Sequence, residues 1–270
     1  MNLIKETFEN YQNNPALNTS ALKQIAHNPY LYKIQGLQDF KSDSVLLGSA
    51  IHCRILEPEI FDSKFILLQK KYDLRKTQDK AEMAEIKTQA EAENKEILTL
   101  EQSETLINLC DSILKSEAWN YLKNDIAQDL NFEISAYGKI NNFDIKARFD
   151  MFYISKAGKR VIVDLKTCLD SSVQGFGKQV TNLDYYLQAY IYKTLINADS
   201  FRFFAIETKE PFMCALYEAD NQMLELGENL FNKAIQNFLK LDTFTSTRKD
   251  ADGDILQVLS LPAYAFYKDL

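Results

Sequence analysis

The sequence predicts an α/β domain built on a central mixed β-sheet flanked by helices, and three stretches carry that prediction. Residues 143–153, FDIKARFDMFY, alternate apolar and charged side chains with period two, the pattern of a half-buried strand. Residues 160–168, RVIVDLKTC, are a β-branched run joined to that strand by the polar loop SKAGK, whose Gly158 is hairpin punctuation. Residues 181–198, TNLDYYLQAYIYKTLINA, read as a helix leading into two more strands, FRFFAIET and FMCALYEA, around the turn KEP.

At 270 residues, with 46% hydrophobic and 12% aromatic side chains, five Pro and no Pro/Gly/Ser linker, the chain reads as one domain. An N-terminal helical part is expected over about residues 1–125 and a core over about 126–240. No apolar run reaches about 18 residues, and the start MNLIKETFENYQNN is acidic and amide-rich, so neither a membrane span nor a signal peptide is expected. Cys53, Cys110, Cys168 and Cys214 show no C-x-x-C spacing, which argues against zinc and against a stapled secreted fold. A cytoplasmic protein with free thiols follows. The net charge of −7 is awkward for a nucleic-acid partner, yet residues 131–193 hold nine Lys or Arg against six Asp or Glu. A basic centre in an acidic remainder suits a cation-assisted substrate channel and is equally compatible with no nucleic acid.

From the N-terminus, SDSVLLGSAIHCRIL (42–56) reads as a helix whose Gly48, Ser49 and Ala50 permit close approach. Residues 64–104 are rich in Ala, Glu, Lys and Gln with a thin apolar stripe, a solvated helix by summed propensity. Residues 105–124 place Leu106, Leu109, Ile113 and Leu114 at helical spacing, with Trp119 and Leu122 following, so this segment packs on the sheet. NFEISAYG (131–138) is a strand with Glu133, Ser135 and Tyr137 on one face and Phe132, Ile134 and Ala136 on the other. In 143–153 the apolar face runs from Phe143 to Tyr153, and Asp144, Lys146, Arg148 and Asp150 take the opposite face. The helix of 181–198 is capped by Thr181 or Asn182 with Asp184 in its first turn, and a last helix covers about 221–240.

The chemistry gathers at two strand ends. Asp164 and Lys166 share a face of their strand, and an antiparallel hairpin brings Asp150 close to Asp164. Taken alone the first pair is an ordinary exposed ion pair. Two converging carboxylates, however, repel unless something neutralises them, and a hard divalent cation with oxygen ligands does so. The backbone carbonyl of Leu165 adds a third oxygen, and Lys166, its ammonium disfavoured beside a cation, orients or deprotonates a water for attack on a phosphodiester. Gln188 and Tyr192, one turn apart on a face with Tyr185, are either a packing face or hydrogen-bonding partners of the lysine, the water or a phosphate.

The order Asp150, Asp164-Leu165-Lys166, Gln188-x-x-x-Tyr192 resembles the PD-(D/E)XK nuclease superfamily, RecB-like branch. LNTSALKQIAHNPYLYK near the N-terminus, LLGSAIHCRILEPEIF (46–61), NFEISAYG and FFAIETKEPFMCALYEAD (203–220) are similar to the RecE or exonuclease VIII family of phage and prophage recombination exonucleases. The resemblance spans about residues 17–240, and it departs from the superfamily name at Phe149, where proline is expected. It implies a restriction-endonuclease-like core, with His52, Asp150 and Asp164 as metal ligands and Lys166 as catalytic lysine. His52 on an apolar helix is otherwise a hydrogen-bonded core residue. Glu133 is either a further carboxylate, acting by way of water, or an ordinary strand glutamate; Arg148 either grips the phosphate or pairs with Asp150 when no metal is bound. The cofactor implied is Mg²⁺ or Mn²⁺, as two ions. The function implied is digestion of double-stranded DNA ends from the 5′ side, by a ring-like homo-oligomer, for a RecT-type annealing protein. A RecB-like endonuclease or repair module and a non-cutting nucleic-acid-binding module are the alternatives.

Overall fold

The computed structural model describes residues 2–37, 42–249 and 253–260. The chain opens with β1 (Asn2–Ile4) and helices α1 (Phe8–Asn13), α2 (Thr19–His27), α3 (Pro29–Gln35), α4 (Asp43–Leu56) and α5 (Phe61–Lys64). β2 (Phe65–Leu67), α6 (Thr77–Glu93), β3 (Glu96–Leu98), α7 (Leu100–Lys115) and α8 (Glu117–Asp125) follow. Then come β4 (Ile126–Ile140), β5 (Phe143–Ser155), β6 (Arg160–Cys168), α9 (Val173–Asn182), α10 (Tyr185–Ile196), β7 (Ser200–Glu207), β8 (Cys214–Glu218) and α11 (Asn221–Leu239).

The main sheet has the order β1-β4-β5-β6-β7-β8, antiparallel except for the parallel pair β6–β7, which α9 and α10 connect. The mixed sheet is therefore as expected. Asn141 and Asn142, both with positive φ, close the two-residue β4–β5 hairpin, where a short polar side chain tolerates left-handed backbone. Gly158, at φ 74°, turns β5 into β6.

Helices cover both faces. On one, α2, α10 and α11 pack over Phe149, Phe152, Ile162, Phe201 and Phe203. On the other, α4, α7 and α8 pack over Met151, Tyr153, Val163, Leu165 and Phe204. Trp119 of α8 meets Phe204 edge-on, with centroids 5.9 Å apart, so the 105–124 segment does pack on the sheet.

Four expectations are corrected. The apolar face of 143–153 is not continuous: Ile145, Ala147 and Phe149 belong to the α10 layer, Met151 and Tyr153 to the α4 layer. Phe132 likewise faces the α4 layer while Ile134 and Ala136 face the other. The switch falls where Glu133 takes a left-handed φ of 49° inside β4, interrupting the simple alternation. The N-terminal part is not purely helical, because β1 forms a sheet edge and β2 pairs with β3 in a small parallel ribbon. That ribbon flanks α6, so within residues 64–104 the solvated helix is confined to α6, with Lys64 ending α5 and residues 100–104 opening α7; Ala90 is the one buried side chain of α6, as a solvated helix requires.

The helix expected over 181–198 is two helices. Ser172 caps α9, Thr181 lies in the last turn of α9, and Asp184, with φ 51°, starts α10 without a side-chain cap bond. Gly175 and Gly177 lower the helical propensity of α9, which hid it in the sequence. Among the described residues, no helix is long and apolar enough to cross a membrane.

Candidate active site

A fork in the sheet builds the site. β5 pairs with β6 only from Met151 to Ile154, against Val163 to Arg160; residues 143–149 stay with β4. Asp150 sits at the branch point, Asp164 and Lys166 on the diverging prong. The Leu165 amide donates to Asp150 Oδ2 across the gap at 2.7 Å, so one carboxylate ties the two prongs.

His52 reaches in from α4. Its Nε2 lies 3.0 Å from the Leu165 carbonyl, to which it can only donate, and its Nδ1 lies 3.4 Å from Asp150 Oδ2. The Leu165 carbonyl thus also orients the imidazole, with one of its lone pairs, and leaves Nδ1 as the metal-facing nitrogen. Gly48 needs no special space: an added Cβ would meet Thr167 Oγ1 at an ordinary 3.8 Å.

Donor atoms of His52, Glu133 and Asp150 all lie within 4.8 Å of one another. One imidazole and two carboxylates are a suitable donor set for a divalent cation, so these residues fit the metal that the sequence implied. Asp164 stands outside this trio. It is 1% exposed, its Oδ1 accepts from Gln188 Nε2 at 2.6 Å, and its Oδ2 lies 2.5 Å from Lys166 Nζ. The Lys166 ammonium is the charged partner of that Oδ2.

Electrostatics follow from burial and the neighbouring charges. Burial, opposed by Lys166, pushes the Asp164 carboxyl up to about 6. Burial works against the Lys166 ammonium too, but Asp164 and Asp150 overcome it and hold the pKa above the ordinary lysine value. The ammonium is therefore favoured in the metal-free protein, because two carboxylates face it with no cation to share their charge. Lys166 also lies 4.8 Å from the centroid of the Tyr185 ring, a contact that the sequence pattern did not reveal.

Arg148 does not pair with Asp150. Its Nε donates to Glu133 Oε2 at 2.7 Å and its Nη1 to the Glu6 carbonyl at 3.1 Å. Glu133 is thus a site carboxylate held by an arginine, not an exposed strand glutamate. Gln188 holds Asp164 rather than the lysine. Tyr192 is buried edge-on against Phe149 and Phe201, at 5.1 and 6.0 Å between centroids, with Gln188 as hydrogen-bonding neighbour of its hydroxyl. A cleft of about 1300 Å³, lined among others by His52, Arg148, Lys166, Lys178 and Gln179, opens onto the site. A second pocket of about 560 Å³ adjoins it through Glu133 and Arg148. Lys178 and Gln179 were missed with α9 itself.

The His52–Asp150 pair gives a pH signature. Burial opposes the imidazolium, yet Asp150 prevails and pushes His52 up from 6.5 to about 9. A raised pKa means that the folded state binds the proton more tightly, so this stability is complete below about pH 6.5 and is lost as pH rises through about 9. In EDTA, the melting temperature of the wild type is expected to fall over that window relative to His52→Gln. Parallel melting curves across it would show that the pair is not formed.

Fold and site together define a nuclease of the PD-(D/E)XK class. The chain belongs to the family of the PDDEXK-like domain of unknown function (DUF3799), whose model matches residues 19–250. No curated protein matches it. Among solved structures it is similar to a candidate exonuclease from Eubacterium rectale, with a TM-score of 0.61 and 16% identity over 99% of this chain and 100% of that one. A phage-related exonuclease from Haemophilus somnus 129PT matches more loosely, with a TM-score of 0.32 and 10% identity over 87% of this chain and 98% of that one. The Eubacterium likeness is one of fold.

Proposed function

We propose that the protein is a Mg²⁺- or Mn²⁺-dependent exodeoxyribonuclease that degrades linear double-stranded DNA from its ends, 5′ to 3′, exposing single strands for annealing-type recombination. The convergence of His52, Glu133 and Asp150 beside the Lys166–Asp164 pair is the observation that carries the reading. Action at ends, the polarity, a ring-like homo-oligomer and hand-over to a RecT-type annealing protein rest on the RecE-like sequence stretches.

His52, Glu133 and Asp150 would hold one ion, and Asp164 and the Leu165 carbonyl are the remaining oxygen donors for a second. Bound there, a divalent cation supplies a Lewis acid for the phosphodiester and a water of lowered pKa. The chain does the rest. Lys166 hydrogen-bonds the attacking water, and once the charge of the carboxylates is neutralised, burial favours its neutral amine, which can take the proton. Arg148, released from Glu133, presents a planar guanidinium to the phosphate being cut. Gln188 keeps Asp164 in place, and Tyr185 lies against the lysine.

The test is digestion of end-labelled linear duplex beside closed circles. With Mg²⁺, the 5′ label should leave the linear DNA first while circles stay intact, and EDTA should stop the reaction. Cut circles would instead favour the endonuclease reading, and retention of DNA without cutting would favour a binding module.

Within this reading, Gln188→Ala should slow cleavage roughly 10²-fold, because Asp164 loses the donor on Oδ1. Tyr192→Phe keeps the ring packing and should cost less than about tenfold. Single-turnover rates at saturating Mg²⁺ measure both, and full activity in both variants would return this face of α10 to plain packing.

A further inference from the structure

Lys23 of α2 is a half-buried lysine with a single hydrogen-bond acceptor, the Leu183 carbonyl at 2.6 Å. The protein shows elsewhere how it satisfies a lysine that only holds the fold. Lys146, 4% exposed, gives its ammonium to the carbonyls of Tyr11, Gln12 and Asn14 at 2.8, 3.0 and 2.6 Å, three acceptors for three protons. Lys23 has no such set, and among the described residues no carboxylate lies within ion-pair distance of it. The two acids that act on it from further away are committed to other groups. Asp184 accepts from the Tyr186 hydroxyl at 2.6 Å and pairs with His27 Nε2 at 2.8 Å, and Asp164 is held by Gln188 and Lys166. Burial, aided by the like charge of Lys166, pulls the Lys23 ammonium down from 10.5 to about 8, so it is still a cation at neutral pH. A desolvated ammonium without a counter-ion is costly, and an anion beside it removes much of that cost.

Its position says which anion. Tyr185 is the common neighbour of two lysines: its ring centre lies 5.1 Å from Lys23 Nζ and 4.8 Å from Lys166 Nζ. The two ammoniums are therefore no further apart than the sum of those distances. Leu183 and Tyr185, the two residues that Lys23 touches, both line the cleft that holds Lys166. A polynucleotide strand carries one negative charge per nucleotide, so a strand with one phosphate at Lys166 brings the next within reach of a cation placed here. A lone phosphodiester has no second charge to offer it.

We propose that Lys23 is a substrate-binding residue that grips the phosphate next to the one being cut, on the same strand, with the Tyr185 ring as the spacer between its ammonium and that of Lys166. The inference rests on the nuclease reading and deepens it, since it makes two successive phosphates, rather than one phosphodiester, the unit that the site recognises. The neighbouring phosphate supplies the counter-ion that Lys23 lacks and holds the strand in register while the reacting linkage lies at Lys166. That contact is the same before and during the chemical step, so it serves binding more than turnover.

The experiment pairs a change in the protein with a change in the substrate. Lys23→Met keeps an unbranched apolar stem, and Lys23→Arg keeps the charge. Each is set beside wild type on a short duplex in which one of the two linkages flanking the cut one is a neutral methylphosphonate. Binding is followed by anisotropy in Ca²⁺ and cleavage by steady-state rates in Mg²⁺. On unmodified duplex, Lys23→Met should raise KM about tenfold while kcat falls less than about threefold, and the slope of log affinity against log salt should shrink by about 0.9. One flanking methylphosphonate should weaken wild-type binding about tenfold and Lys23→Met binding less than about twofold, because the variant has already lost that contact. Lys23→Arg should retain most of the wild-type affinity and its methylphosphonate penalty. A lysine that merely holds the end of α9 through Leu183 would instead lower the melting temperature and kcat, with the salt slope and the methylphosphonate penalty as in wild type. That result overturns the proposal, as does a wild type indifferent to a methylphosphonate at both flanking linkages. A wild type that binds the duplex without cutting it would count against the nuclease reading, and the binding arm would still judge Lys23.

Discussion

Asp164→Asn is expected to lower Mg²⁺-dependent cleavage by roughly 10³-fold or more while the protein still unfolds cooperatively. The asparagine can keep the Gln188 bond to its oxygen, so the geometry on that side survives. The negative charge 2.5 Å from Lys166 does not. That charge sets the protonation of the lysine and supplies an oxygen donor at the fork, and a neutral amide does neither. Lys166 is then left with Asp150 as its charge partner, and some loss of stability accompanies the loss of rate. Steady-state and single-turnover assays on linear duplex, with circular dichroism melts in parallel, measure both. Near-normal turnover in a folded Asp164→Asn protein would remove the strand fork from the catalytic account.

The second large effect is on stability and has an unusual sign. Gly227→Ala lies within α11, where an alanine ordinarily stabilises a helix by about 1 kcal/mol. Here a Cβ would meet the Tyr186 carbonyl oxygen at 2.3 Å and Tyr190 Cβ at 2.5 Å, both on α10. Backbone cannot step aside as a flexible side-chain end can, so the helices must part, at a cost of about 2–4 kcal/mol. Because α10 also carries Tyr185 and Gln188, the strain reaches Lys166 and Asp164, and activity should fall with stability. Urea unfolding measures the first effect. A variant as stable as wild type, or more so, would mean that α10 and α11 are not packed this closely.

Much of this molecule is written in local pattern. Period-two alternation in 143–153 and the β-branched run of 160–168 marked the hairpin, and the hairpin put Asp150 beside the strand of Asp164. The helix expected over about 221–240 is α11, which the structure shows capped by Asp220. Local pattern was also where reading failed. The left-handed Glu133 breaks the alternation of β4, and neither residue type nor spacing signals it. Two glycines masked α9, and with it the cleft residues Lys178 and Gln179.

Residue types and order therefore determined the strands and helices that carry Glu133, Arg148, Asp150, Asp164, Lys166, Gln188 and Tyr192, because alternation and helical spacing act over a few residues, while His52 joined the candidate set through the family resemblance. Which of these touch was decided only by tertiary structure. Arg148 takes Glu133 rather than Asp150, Gln188 takes Asp164 rather than the lysine, and His52 takes the Leu165 carbonyl, 113 residues away in the chain. Side-chain pairing and the protonation of Lys166 depend on burial and on charges brought together by the divergence of β5 from β6, and no local rule of sequence encodes where two strands part.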